Sequence, residues 1–187
     1  MLNESDLSAH VDRHFHRTVF RLERRDLYTV DSDAGNVVRY LAGEPAPAMD
    51  VKEPWLRRLS QERAEGKRRS RVHVLCTPLS DYLRYECEWG YTYTSRAGEE
   101  IFILDLAERP RPQELIDEDF LLLDDEHVVV VHYDNEGRFL GGQPLPTTEV
   151  QRYRQCRDAA LVGAVPFEEF WQAHPQDWRV NRASSGG

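Results

Sequence analysis

Six carboxylates crowd one apolar run in ELIDEDFLLLDDEHVVVVHYDNEGRF, residues 114–139: Asp117, Glu118 and Asp119 precede FLLL, and Asp124, Asp125 and Glu126 follow it. Acids in such number could ligate a divalent cation or divide the work of general acid and base. Strand geometry argues against both. Five extended residues span ~17 Å, so the two acidic groups fall at opposite ends of a buried strand and cannot meet on one ion. A calcium loop would also need alternating oxygen ligands around a central glycine, which this stretch lacks. Asp124 and Asp125 therefore read as caps for local backbone amides in a turn.

A second group has a better claim to binding chemistry. In SRVHVLC, Arg71 and His73 alternate with Val72, Val74 and Cys76. Beyond Thr77-Pro78, Ser80 can cap a helix whose inward positions read as Tyr82, Tyr85, Glu86, Trp89 and Tyr93, with Tyr91 beside them. Glu86 on that side is an acid in need of a partner, which Arg71 or His73 on the neighbouring strand can supply. Tyr82, Arg84 and Trp89 are of the types that wall pockets and anchor interfaces. The candidate ligand- or partner-binding residues are thus Arg71, His73, Tyr82, Arg84, Glu86 and Trp89, with no catalytic residue, metal ligand or cofactor assigned.

The remaining reactive side chains read as structural. His10, His14 and His16 lack an accompanying motif such as H-E-x-x-H and read as a polar helix face. Cys76, Cys87 and Cys156 form neither CxxC nor a disulfide framework. Cys76 ends a strand where a thiolate could be activated, but no histidine and acid pairing accompanies it, and a small buried residue is the reading.

The elements that must position these groups follow from periodicity. Leu7, Val11 and Phe15 make one stripe of a short helix, TVFRLERRDLYTV is strand-like, and DSDAGNVVRYLAGEPAP holds a brief helix closed by Gly43. Pro54 suits the first turn of a further helix with Trp55, Leu56 and Leu59 on its buried side. The strand through Val72, the helix from Ser80 and the strand EIFILDL form a βαβ unit with a right-handed parallel crossover. FLLLD, HVVVVHY and RFLGG, joined by turn sequences, make an antiparallel meander. Thr148 and Gln151 suggest a capping box before VQRYRQCRDAALVG, and Pro166 starts a last short helix. The expectation is one α/β domain with a mixed sheet over residues 1–180, and a flexible tail over 181–187.

Charge and hydropathy narrow the partners. The chain of 187 residues carries 33 acidic against 24 basic residues, a formal charge of −9 that repels nucleic acid. The basic stretch RRLSQERAEGKRRSRVH, with Arg57, Arg58, Arg63, Lys67, Arg68, Arg69 and Arg71, reads as an exposed helix face and its following loop. The N-terminus has charge where a signal peptide needs an apolar core, and no segment approaches ~18 continuous apolar residues. A cytoplasmic protein that does not enter membranes is expected.

In order, FRLERRDLYTV, LAGEP, PLSDYLRYE, AGEEI, DFLLLDD and YDNEGRF resemble the actinobacterial family catalogued as domain of unknown function six-eight-seven-nine, from about Phe20 to Phe170. Such proteins are often encoded near Scr1-type helix-turn-helix regulators, so the resemblance implies a regulatory or accessory role. The order of elements also resembles half of a phospholipase D-like domain. Its spacing would put Asp117 in the histidine place, Asp119 in the lysine place, Asp124 at the aspartate, and Asp134 where asparagine belongs. The nucleophile and the phosphate-binding lysine are missing, which implies a catalytically dead copy. Two readings result: a non-catalytic accessory module that binds a protein partner, such as a helix-turn-helix regulator or a second copy in a homodimer, and an enzyme or receptor for a phosphate-bearing or other anionic ligand at the carboxyl edge of the sheet.

Overall fold

A computed structural model of the chain describes residues 1–29 and 35–182. Its strands are β1 (Thr18–Glu23), β2 (Arg68–Leu75), β3 (Glu100–Asp105), β4 (Asp119–Leu123), β5 (His127–Tyr133), β6 (Phe139–Pro144) and β7 (Val165–Pro166). They form one sheet in the order β6-β5-β4-β1-β2-β3-β7. β1, β2 and β3 are parallel, and every other pairing is antiparallel. The βαβ crossover and the meander are both present, in a mixed α/β sheet as the sequence implies.

Register decides what each face carries, because neighbouring residues on a strand point to opposite sides. One cross-strand row runs Phe102–Val72–Leu22–Phe120–Val130 and is wholly apolar. The adjacent row, on the other face, runs Ile101–Arg71–Arg21–Leu121–Val129 and is charged at its centre. The apolar face is covered by helix α6 (Val150–Gly163) through Val150, Tyr153, Cys156 and Ala160, and by Leu115 and Ile116 of the preceding loop. Burying Val150, Leu115 and Ile116 contributes roughly 1.5–3 kcal/mol each.

The charged face lies beneath the crossover helix. That helix is built from α4 (Asp81–Tyr85), a π-helical turn (Glu86–Tyr91) and α5 (Thr92–Ala97), and Ser80 caps its start by accepting from the Leu83 amide at 3.1 Å. Apolar packing survives at the margins of this face, where Leu75, Leu83, Cys87, Ile101 and Ile103 meet Phe167 and Phe170 of α7 (Phe167–Ala173). At the opposite margin Phe15, after helix α1 (Glu4–His14), packs on Val19 and Leu123.

Several local expectations change. The π turn admits one extra residue, so Leu83, Cys87 and Tyr91 face inward with Tyr85 and Trp89, while Tyr93 is only half-buried. Helix α3 (Met49–Ala64) begins five residues before Pro54, so the proline lies inside it, and Trp55 is 38% exposed rather than buried, with the guanidinium of Arg69 over its ring. No side-chain cap forms before α6; a 3-10 turn, Thr147–Glu149, leads into it, so Thr148 and Gln151 make no capping box. Of DSDAGNVVRYLAGEPAP, helix α2 (Asn36–Leu41) is described and residues 31–34 lie outside the described residues, as do Val30 and residues 183–187. Asn181 and Arg182 belong to a short helix, α8 (Arg179–Arg182), rather than to a tail.

Candidate functional site

Alternation along β1 places Arg21 and Glu23 on one face, and alternation along β2 does the same for Arg71 and His73. Parallel pairing then sets Arg21 against Arg71 and Glu23 against His73. The Glu23 carboxylate is the hub of this layer. It accepts from Arg71 Nη1 at 2.9 Å and from the Tyr91 hydroxyl at 3.0 Å on Oε2, and pairs with Arg21 Nη2 at 3.0 Å on Oε1. Arg71 gives its remaining nitrogens to Glu99, with Nε at 2.9 Å and Nη2 at 2.6 Å from Oε1. Glu99 reaches this point from the turn after α5, where Gly98 at φ +119 leaves room for Arg63: a Cβ there would lie 2.7 Å from the arginine Cδ.

Burial makes these pairings consequential. Side-chain exposure is 11% for Arg71, 5% for Glu23 and 0% for His73. Burial pushes the Glu23 carboxyl up, but the guanidiniums of Arg21 and Arg71 outweigh it and hold the group at about 2. Removing either side of such a buried pair strands the other charge in a low-dielectric interior, at a cost of about 3–5 kcal/mol.

His73 is fixed at both nitrogens. The Arg25 carbonyl, 3.0 Å from Nε2, can only accept, so Nε2 carries a proton. Burial lowers the imidazole pKa, against the pull of Glu23, so the ring is neutral and Nδ1 is an acceptor. Tyr91 Oη lies 2.6 Å from Nδ1 and 3.0 Å from Glu23, and its single proton serves two acceptors. The result is a closed His73–Tyr91–Glu23 relay. It has the groups of an acid-base centre, but the imidazole is fully enclosed.

Beside it sits a second polar pair. The Tyr28 hydroxyl donates to Asp119 Oδ2 at 2.5 Å and accepts from the amides of Arg24 and Arg25 at 3.1 and 3.2 Å. Burial raises the Asp119 carboxyl to about 6, with the Tyr28 hydrogen bond pulling the other way. Tyr133 closes the layer on the β5 side by accepting from Arg21 Nη2 at 3.0 Å.

The six candidates from the sequence are distributed unevenly. Arg71 and His73 sit in the layer. Glu86 is half-buried at its edge, close enough for its charge to raise the pKa of Arg71 and of Tyr82, and its Oε1 lies 2.8 Å from where a Gly90 Cβ would be. The acids that grip Arg71 are Glu23 and Glu99. Tyr82 packs 6.3 Å from Tyr28 and 5.9 Å from Tyr85, ring to ring. Arg84 turns away to Asp177 at 2.8 Å and Asp81 at 3.0 Å, and Trp89 joins Tyr40, Tyr85 and the guanidinium of Arg179 in a separate aromatic cluster. Sequence reasoning missed Arg21, Glu23, Tyr28 and Glu99, and reads Asp119 only as one of the acids at the head of a strand. The available signal was Arg-x-Glu on β1 beside Arg-x-His on β2, which alone reads as a solvent-facing pattern.

The opening acids have separate tasks. Asp124 accepts from the amides of His16, Arg17 and Thr18 at 3.1, 2.8 and 2.8 Å, so it caps a segment over a hundred residues away rather than its own turn. Its partner Asp125 pairs with Arg157. Asp117 pairs with Arg24 and Arg111, Glu118 accepts from Tyr153, and Asp119 binds Tyr28. Asp119 and Asp124 sit at the two ends of β4, and Asp134 accepts from its own turn at Glu136 and Arg138, so the phospholipase D-like positions do not converge. The basic stretch is neutralised in place: Arg58 and Arg69 pair with Glu62, and Arg68 with Glu100. Cys76 is exposed, not buried, because it leaves the sheet one residue after β2 ends.

Among the described residues, one trio holds ligand atoms within 4.8 Å of one another: Asp105, Glu108 and His174, outside the polar layer. No helix among them is long and apolar enough to cross a membrane.

Fold and layer together define a single-domain α/β protein whose mixed sheet is apolar on one side and carries a buried, internally paired polar network on the other. The chain belongs to the family described as a domain of unknown function (DUF6879), whose model matches residues 5–172. No curated protein matches it.

Proposed function

We propose that this chain is a non-catalytic accessory domain that acts in the cytoplasm by engaging a protein partner, a helix-turn-helix transcriptional regulator being the partner that the family resemblance suggests. One observation carries the reading: the groups of the polar layer that could do chemistry are spent on each other. Every side-chain nitrogen of Arg71 contacts a carboxylate, and both nitrogens of His73 are engaged inside the fold. Arg84, the other cation expected to receive an anionic ligand, is held by Asp177 and Asp81. These commitments count against the anionic-ligand reading. On the outer surface, Val38 and Leu41 lie three residues apart on α2, 70% and 56% exposed, and could serve as apolar anchors for a partner.

The test has two arms. Affinity purification from the native host should recover one stoichiometric partner, and a Val38→Asp/Leu41→Asp double variant should lose it with an unchanged melting temperature. Recovery of no partner at micromolar protein counts against the proposal. In the second arm the purified chain is offered phosphodiester, phosphomonoester and carboxylic ester substrates. Turnover that disappears in Glu23→Gln or His73→Ala would overturn the non-catalytic reading.

A further inference from the structure

The geometry points to a divalent transition-metal site at the carboxyl end of β3, formed by Asp105, Glu108 and His174. Neither the family nor the polar layer accounts for this trio. Asp105 is the last residue of β3, and its carbonyl accepts from the amides of Glu108 at 3.2 Å and Arg109 at 2.9 Å, winding a turn that brings Glu108 back over it. His174 follows α7 and arrives from the other end of the chain.

Each inner ligand is already aimed. Asp105 Oδ1 accepts from the Thr77 and Ala107 amides at 3.1 and 2.9 Å, and Oδ2 from the Thr77 hydroxyl at 2.8 Å. These bonds orient the carboxylate and leave it lone pairs for an ion. His174 Nδ1 lies 2.8 Å from the Phe170 carbonyl, which can only accept, so Nδ1 carries a proton and Nε2 is the nitrogen turned toward the carboxylates. That nitrogen faces Glu108 Oε1 at 3.4 Å, a contact that either a proton or a metal ion shared by the two groups satisfies. Asp105 and His174 are 3% and 6% exposed, whereas Glu108 is exposed and free to close onto an ion, and the trio borders a cleft of about 90 Å³. Carboxylates and imidazoles held by partners of this kind are the usual support of a metal's ligands. One imidazole with two carboxylates suits zinc, manganese, iron or nickel better than magnesium or calcium, which prefer oxygen alone.

The experiment uses the full chain without a histidine tag, stripped with chelator. Cobalt(II) should give a visible d–d band at one equivalent, zinc should displace it, and calorimetry should report one site. Asp105→Asn and His174→Ala should each weaken zinc binding about tenfold or more. Glu108→Gln, on the exposed ligand and safest for folding, should weaken it less, and His132→Ala, a histidine elsewhere on the sheet, should leave it unchanged. Absence of a stoichiometric cobalt band, or equal affinity in wild type, Glu108→Gln and His174→Ala, would overturn the site and leave a plain histidine–carboxylate contact.

Discussion

The two faces of one sheet solve the same burial problem in opposite ways. Beneath α6 the central row is Val72, Leu22 and Phe120, side chains that need only be close to one another. Beneath the crossover helix the neighbouring row offers Arg71 and Arg21, and a stable interior requires Glu23, Glu99 and Tyr91 at specified distances. Dispersion and the hydrophobic effect are tolerant of direction, whereas buried charge is not. The apolar face therefore asks only for close packing, whereas the polar face constrains how the crossover helix is seated.

Four changes would break or sharpen that contrast. Glu23→Ala should have the largest effect, about 4 kcal/mol in denaturant unfolding, because two guanidiniums lose a shared buried counter-charge. Its signature is pH dependence. A carboxyl held at about 2 contributes fully above its unfolded value of ~4.3 and progressively less as pH falls toward 2, so the wild type should lose stability across that interval and the variant should lose less. Leu122→Ala, on the apolar face, should cost about 3 kcal/mol with little dependence on pH over the same interval.

Asp119→Asn should act in the other direction. Its carboxyl is raised to about 6, so in the wild type the folded state loses stability as pH rises from ~4 to 6. The amide can still accept from Tyr28, and the variant should gain about 1–2 kcal/mol above pH 6 and no gain below pH 4. Tyr91→Phe should have the smallest effect, about 1 kcal/mol, since packing is kept and only the shared hydroxyl is lost. Imidazole nitrogen shifts measured by NMR should nevertheless report a changed environment at His73 Nδ1, and unchanged shifts would remove the relay from the description.

The fold was far more legible in the sequence than the site. The continuous apolar runs in FLLLD and HVVVVHY, and the strand-helix-strand run from Arg71 to Asp105, are local patterns, and local patterns survive into the structure. The charged layer is made by register, which aligns Arg21 with Arg71 across about fifty residues that show no periodicity relating them. Arg71 and His73 are legible from their own strand, but their shared acid, Glu23, stands on β1, whose adjacency to β2 no local pattern encodes. An α-helical count puts Tyr91 beside the inward stripe, whereas the wider winding of the π-helical turn brings it onto that stripe. Asp105, Glu108 and His174 were invisible for a related reason: two are three residues apart, and the third comes from the far end of the chain.

The wide turn between Glu86 and Tyr91 makes helix length a determinant of chemistry. A chain shortened by one residue there would still wind continuously, yet every side chain beyond the deletion would rotate by about 100°. The phenol now joining imidazole to carboxylate would point elsewhere with its own identity intact. Single-residue insertions and deletions in this helix are thus able to connect or disconnect two strands of the sheet without any substitution in either.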